Sequence, residues 1–248
     1  MNQSISSGGG LLALLARCGG YYEKPSGGPL VGYAGRYDIG LNGPDDPGKQ
    51  YVGKVYVNFA MAERRGRVMR EVANSILKTH PDASDPELNT GFAAAPEGGK
   101  ALGEALSLYT GRGYIYPEKE MVVPRSSTTR EITRLVWKRH EPLPDEHWWI
   151  VEDVCNNFST TLDMVDIIVS RGAQACGIIC FLNRSPSVEN VWSPRLDICL
   201  PVVAAIRKPI LEYRQDDPEV AADVQEGNVV WKPKHEWGKL QAAMGAFD

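Results

Sequence analysis

The stretch "IVEDVCNNFSTT", residues 150–161, places two adjacent carboxylates, Glu152 and Asp153, after an apolar run and before a short polar segment. Neighbouring acids at that position can hold sugar hydroxyls or a Mg²⁺ ion. Asn156, Asn157, Ser159, Thr160 and Thr161 supply side-chain donors, and the periodicity after them predicts a helix. A helix N-terminus offers unpaired N–H groups and the positive end of the helix dipole, which together suit a phosphate. Acids beside a phosphate would repel it unless they engage its hydroxyls or a cation. A phosphorylated sugar carried with a divalent cation meets all three demands. The residues alone equally allow Thr160 as a simple helix cap and the acids as a solvated strand end.

Several elements must position these groups. "HWWIVE" has the continuous bulk of a buried strand. From Thr160 a helix is predicted through Leu162, Val165, Ile168 and Val169 to Gly172, and "ACGIICFLN" follows as a second buried strand. Strand, helix and strand in this order form a βαβ unit. A similar unit precedes it: "TGFAAA" as a strand, "PEGG" as a turn, "KALGEALSLYTG" as a helix closed by Gly111, and "YIY" as a strand. Two such units predict an α/β fold with a doubly wound, mainly parallel sheet. Ligands collect at the carboxyl ends of strands in such sheets, where Glu152 and Asp153 are expected.

Around this core, a helix is predicted over 62–79, where Val68, Met69, Val72, Ala73, Ile76 and Leu77 recur at helical spacing. Pro117 to Arg130 reads as a long exposed loop, and "EITRLVWK" as a strand. Residues 1–60 are rich in Gly, Tyr and Pro and read as turns and short strands. The tail adds "PVVAAI", a helix from Pro218 to Val224, "NVVWKPK" and a last short helix. The resulting division is 1–60 as an N-terminal segment, 61–215 as the core, and 216–248 as an extension packing on it.

Composition narrows the function classes. A formal charge of −4 does not point to a nucleic-acid-binding surface, so no nucleic-acid partner is expected, and Arg64, Arg65, Arg67 and Arg70 read as the solvated face of a helix. No apolar run approaches the ~18 residues needed to span a bilayer, so no membrane partner is expected. "LLALLA" is too short for a signal-peptide core and has no basic segment before it. Cys18, Cys155, Cys176, Cys180 and Cys199 lack metal-ligand spacing, and Cys176 and Cys180 sit in the apolar run "ACGIICFL" as small buried thiols. A reduced, cytoplasmic setting is expected.

"IVEDVCNNFSTT" resembles the phosphoribosyl diphosphate (PRPP) motif of type I phosphoribosyltransferases: a strand, two acids, an apolar residue, a variable one, Thr-Thr-Gly, a small residue and Ser or Thr. Glu152 and Asp153 match the acids, Val154 the apolar position and Thr160 the closing hydroxyl, while Asn156, Asn157 and Phe158 stand for Thr-Thr-Gly. "AAAPEGGKALGEAL" is similar to the strand, Gly-rich turn and helix of orotate phosphoribosyltransferases, in which the turn approaches the diphosphate. "YVGKVYVNFAMAE" is similar to the segment before that family's first long helix. "GIICFLNRS" resembles its strand ending in Asp-Arg, with Asn183 in place of the aspartate and Arg184 as the arginine that holds the orotate carboxylate.

The resemblance implies a phosphoribosyltransferase joining orotate to PRPP, with Mg²⁺ as cofactor, an N-terminal hood and a homodimeric assembly. Glu152 and Asp153 would lie near the Mg²⁺ and the ribose hydroxyls. The phosphate would lie on Asn156, Asn157, Phe158, Ser159, Thr160 and Thr161, and the diphosphate on Pro96, Glu97, Gly98, Gly99 and Lys100. The family also has an Arg-Lys pair followed by a mobile loop with a catalytic lysine. Here Lys119 remains, Glu118 stands in the arginine position, and Arg125 or Arg130 would supply the loop's charge. Phosphoribosyl transfer to another base, and a PRPP- or nucleotide-sensing regulator without turnover, are the alternatives.

Overall fold

A computed structural model describes residues 8–43, 46–123, 132–186 and 189–245. These fall into two compact units, 8–14 with 62–209, and 15–61 with 210–245.

The first unit is built on a six-stranded sheet in the order Asn190–Ser193, Ile198–Arg207, Gln174–Asn183, His147–Cys155, Gly91–Ala94, Gly113–Ile115. All neighbours are parallel except the edge pair Asn190–Ser193 and Ile198–Arg207. Residues 148–151 and 177–183 are buried at every position, so both faces of the central strands are covered. That explains why their sequences run apolar without alternation. The helix Ser159–Val169 carries the chain from one central strand to the other, and its Met164, Val165 and Ile168 pack with Ile150, Ile178 and Cys180 in one core cluster. The doubly wound, mainly parallel α/β sheet expected from the sequence is present.

Helix boundaries follow local chemistry. Lys100–Thr110 ends where Gly111 takes the left-handed conformation at φ 70° and donates its N–H to Ser107 O at 2.8 Å. The helix expected from Ala62 begins instead at Gly66, because Arg65 is extended (φ −121°, ψ 92°) and separates it from the one-turn helix Ala60–Glu63. Arg64, Arg65, Arg67 and Arg70 are all exposed, as a solvated face should be.

Two expectations are corrected. Glu118–Val123 is not part of an exposed loop but a strand, paired antiparallel with Ile132–Val136. Its charges meet partners from the second arm, Arg134 reaching Glu120 at 2.6 Å and Lys138 reaching Glu118 at 3.3 Å, which stabilises the hairpin. The first arm reads as loop when taken alone, while the second, "EITRLVWK", is a strand as expected. The rest of that stretch, including Arg125 and Arg130, lies outside the described residues. Near the N-terminus, Gly8–Arg17 is a helix rather than turns and strands, with Leu11 and Leu15 buried. The five cysteines are free; Cys180 is fully buried as expected, whereas Cys176 is half-buried and reaches Leu88 O at 3.4 Å.

In the second unit Leu30–Tyr37 lies between Lys49–Gly53 and Val229–Val230. Tyr22, Val31, Tyr33, Val230, Trp237 and Leu240 form one core, with the buried Tyr22 and Tyr33 hydroxyls each donating to a backbone carbonyl at 2.6 Å. No described helix is long and apolar enough to cross a membrane.

Candidate active site

The strand His147–Cys155 is buried through Val151 and emerges at Glu152, Asp153 and Val154, which are half-buried. The turn that follows Gly91–Ala94 is pinned against it: Ala95 N donates to Val151 O at 2.8 Å. Contact is closest at two glycines. A Cβ on Gly99 would fall 2.1 Å from Val151 O, and one on Gly98 would fall 2.5 Å from Asp153 Oδ1 and 2.8 Å from Glu152 Oε1. A side chain at Gly99 would strike backbone and one at Gly98 would have to displace the two carboxylates, so the "PEGG" turn and the acid pair form one surface. Glu97 holds a left-handed backbone at φ 70° and is exposed, while Pro96 is buried.

The acids turn partly onto their own strand. Asp153 N donates to Glu152 Oε1 at 3.0 Å, and Val154 N to Asp153 Oδ1 at 2.7 Å. Burial, and then the neighbouring Asp153 charge, push the Glu152 carboxyl well above the carboxylate range, to about 9 from 4.5. An unfolded chain ionises this residue near its ordinary value, whereas the fold keeps the proton until much higher pH. The stability contributed is therefore present at acid pH and is lost as pH rises from about 4.5 towards about 9. Glu152→Gln, which stays neutral, is expected to flatten the pH dependence and to raise the unfolding midpoint of the ligand-free protein at pH 8. Thermal unfolding from pH 5 to 9 checks this, and identical slopes for both proteins would mean that Glu152 is already ionised in the fold.

Beyond the strand, the polar segment wraps into the helix Ser159–Val169. Asn157 Oδ1 accepts from Ser159 N at 3.2 Å and from Ser159 Oγ at 3.1 Å. Phe158, at the N-cap, has φ 58° and ψ 12°. Phe158, which stands where the resembling motif has glycine, thus holds a left-handed backbone. A left-handed backbone at a non-glycine residue costs ~1–3 kcal/mol. Here the ring is only 7% exposed and packs in the core cluster with Met164 and Val165. Burying a ring of this kind stabilises by ~1.5–3 kcal/mol, enough to offset the strain. Thr161 Oγ1 also donates to Phe158 O at 2.9 Å. Asn157 and Ser159 are exposed, and Asn156 and Thr160 half-buried.

Next to the Gly98 turn lies a cleft of about 320 Å³ lined by Glu97, Lys100, Tyr116, Glu118, Lys119 and Arg139. Lys100 and Lys119, singled out from the sequence, are thereby brought together. Lys100 Nζ lies 4.7 Å from the Tyr116 ring centroid and 3.3 Å from Glu97 Oε1. Tyr116 and Arg139 were not singled out from the sequence, because Arg139 reaches this cleft only through the hairpin. On the other side, Asn183 pairs in register with Cys155, and Arg184 N donates to Cys155 O at 2.9 Å. Arg184 is therefore adjacent to the loop after the acids and is half-buried. Asn183, buried, accepts from Ser185 N at 2.9 Å and so shapes the strand end.

No protein-family model matches the chain, and neither does any curated protein. Solved structures do. Orotate phosphoribosyltransferase from Aeropyrum pernix is similar over 79% of this chain and 93% of that one, with 12% identity and a TM-score of 0.51. UMP synthase from Leishmania donovani is similar over 98% of this chain and 42% of that one, with 13% identity and a TM-score of 0.51. At such identities the likeness is one of fold: the central, mostly parallel six-stranded sheet of this chain has the type I phosphoribosyltransferase fold.

Proposed function

We propose that the protein is a phosphoribosyltransferase that joins orotate to PRPP, giving orotidine 5′-monophosphate and diphosphate. The observation that carries this reading is the contact of the Gly98 turn with both Glu152 and Asp153 at the end of a central strand, directly before a left-handed turn and a helix N-terminus. On this reading Glu152 and Asp153 face the ribose hydroxyls, and the segment Asn156–Thr161 holds the 5′-phosphate. The turn Pro96–Lys100 and Lys119 receive the diphosphate. The protein supplies position and charge, with no nucleophile of its own.

Mg²⁺ is the cofactor this reading implies. Among the described residues no group of three His, Cys, Asp or Glu side chains could hold a metal, and two adjacent carboxylates at a cleft suit an ion that brings most of its ligands with the substrate. It would be carried by PRPP, with Glu152 and Asp153 nearby, and would supply charge neutralisation on the diphosphate.

Arg184, beside the phosphate loop, is assigned to the carboxylate of orotate, which a guanidinium can grip through two parallel hydrogen bonds. Arg184→Ala is expected to weaken orotate by ~2–4 kcal/mol while leaving PRPP nearly unaffected. An unchanged Michaelis constant for orotate would remove that assignment. The function itself is tested by diphosphate release from PRPP with orotate, uracil and adenine in turn. Preference for orotate is expected. Turnover with another base alone would move the specificity, and binding of PRPP without turnover on any base would make the protein a sensor.

A further inference from the structure

Arg139 lies just past the returning hairpin strand Ile132–Val136, yet it lines the same cleft as Lys100 and Lys119. The hairpin explains this, since Glu118 pairs with Val136 and Lys119 with Leu135, so its two arms meet at the cleft. Both acids of the cleft wall are already engaged: Glu97 by Lys100 and Glu118 by Lys138, each at 3.3 Å. Among the described residues neither Lys119 nor Arg139 takes part in an ion pair. Three cations thus face two acids, and two of the cations are uncommitted. Lys100, which lines the cleft, is also the first residue of the helix Lys100–Thr110. A cleft of this size and charge suits a compact polyanion.

We infer that Arg139 is a diphosphate-binding residue, which acts with Lys119 and Lys100 on the leaving group. This rests on the phosphoribosyl-transfer reading. In that reaction the bond from the anomeric carbon to the diphosphate oxygen breaks, and both its electrons go to the oxygen. The bond from the base nitrogen to that carbon forms, and the nitrogen's proton passes to solvent. Negative charge therefore grows on the diphosphate as the bond breaks, and a guanidinium held against it stabilises the transition state more than the ground state. The planar fork of arginine engages two phosphate oxygens at once, which lysine cannot do. Arg139 follows a paired hairpin strand by three residues, which brings its backbone to the cleft.

The test titrates inorganic diphosphate with Mg²⁺ into the wild type and the Arg139→Ala, Arg139→Lys and Lys78→Ala variants by calorimetry, alongside kinetics with PRPP and orotate. Arg139 is exposed, so its substitution should leave the unfolding midpoint in place. Arg139→Ala is expected to raise the diphosphate Kd by about 10- to 100-fold, with partial recovery in Arg139→Lys and little change in Lys78→Ala, an exposed lysine that does not line the cleft. Turnover should fall while the Michaelis constant for orotate holds. A folded Arg139→Ala protein with a wild-type diphosphate Kd overturns the inference, as does an equal loss in Lys78→Ala, which would reduce the effect to net charge. Loss of diphosphate binding in Arg139→Ala, in a protein that ribosylates no base, would sustain the anion site and overturn the transferase reading instead.

Discussion

Replacing Thr160 with Glu is expected to abolish PRPP binding by a protein that still folds. Thr160 sits in the first turn of Ser159–Val169, half-buried, where the phosphate is proposed to lie. Asn157 Oδ1 takes the Ser159 N–H, and Phe158 at the N-cap adds no side-chain cap, which leaves the other N–H groups of the first turn to a ligand's oxygens. A carboxylate placed there would take those donors for itself and repel the phosphate. Two unit charges ~4 Å apart repel by ~4 kcal/mol at the effective dielectric of a protein surface, and the phosphate carries more than one. That corresponds to a loss of at least ~1,000-fold in affinity. Calorimetry with PRPP and Mg²⁺ reads this directly, and circular dichroism verifies the fold. An unchanged affinity in the folded variant would place the phosphate elsewhere.

Gly98→Ala should be nearly as damaging, although it adds a single methyl group. The new Cβ would sit 2.5 Å from Asp153 Oδ1 and 2.8 Å from Glu152 Oε1, separations that real Cβ atoms do not tolerate. The strand that carries the acids is held in register on both sides, by Gly91–Ala94 and by Gln174–Asn183, so the turn or the carboxylates must give way. Overpacking of this kind costs ~1–3 kcal/mol of stability. A displacement of about an ångström at a positioning site lowers turnover by about 100-fold. The check is kcat/KM for diphosphate release beside an unfolding curve. Activity within threefold of wild type would show that the turn yields freely and that its contact with the acids does not govern catalysis.

The sequence carried most of the central unit because its signals are local. "HWWIVE" and "ACGIICFLN" carry unbroken apolar runs, 148–151 and 175–182, and Gly111 closes its helix through a conformation that side chains disfavour. What escaped depends on partners distant in sequence. The strand Glu118–Val123 is charged at half its positions and becomes a strand only when Arg134 and Lys138 come opposite. Arg139 enters the cleft through that same pairing. Val229–Val230 joins Leu30–Val31, some two hundred residues away in sequence, a pairing that no periodicity can announce. At the site the acids and the "PEGG" turn were legible as chemistry, but their mutual contact was not. Nor was the backbone of Phe158, since a bulky residue ordinarily argues against φ > 0.

That phenylalanine changes which equilibrium carries the cost of the turn. With glycine, the left-handed bend is easily adopted and as easily lost, so an empty loop can wander and must be ordered again whenever a ligand arrives. With Phe158 the ring is buried among Met164, Val165 and their neighbours, and the bend is tied to the core itself. Its strain is met once, when the chain folds, and is not charged against each binding event. The loop is therefore shaped in advance of its ligand, and loosening the core beneath it would weaken binding without touching any group that meets the phosphate.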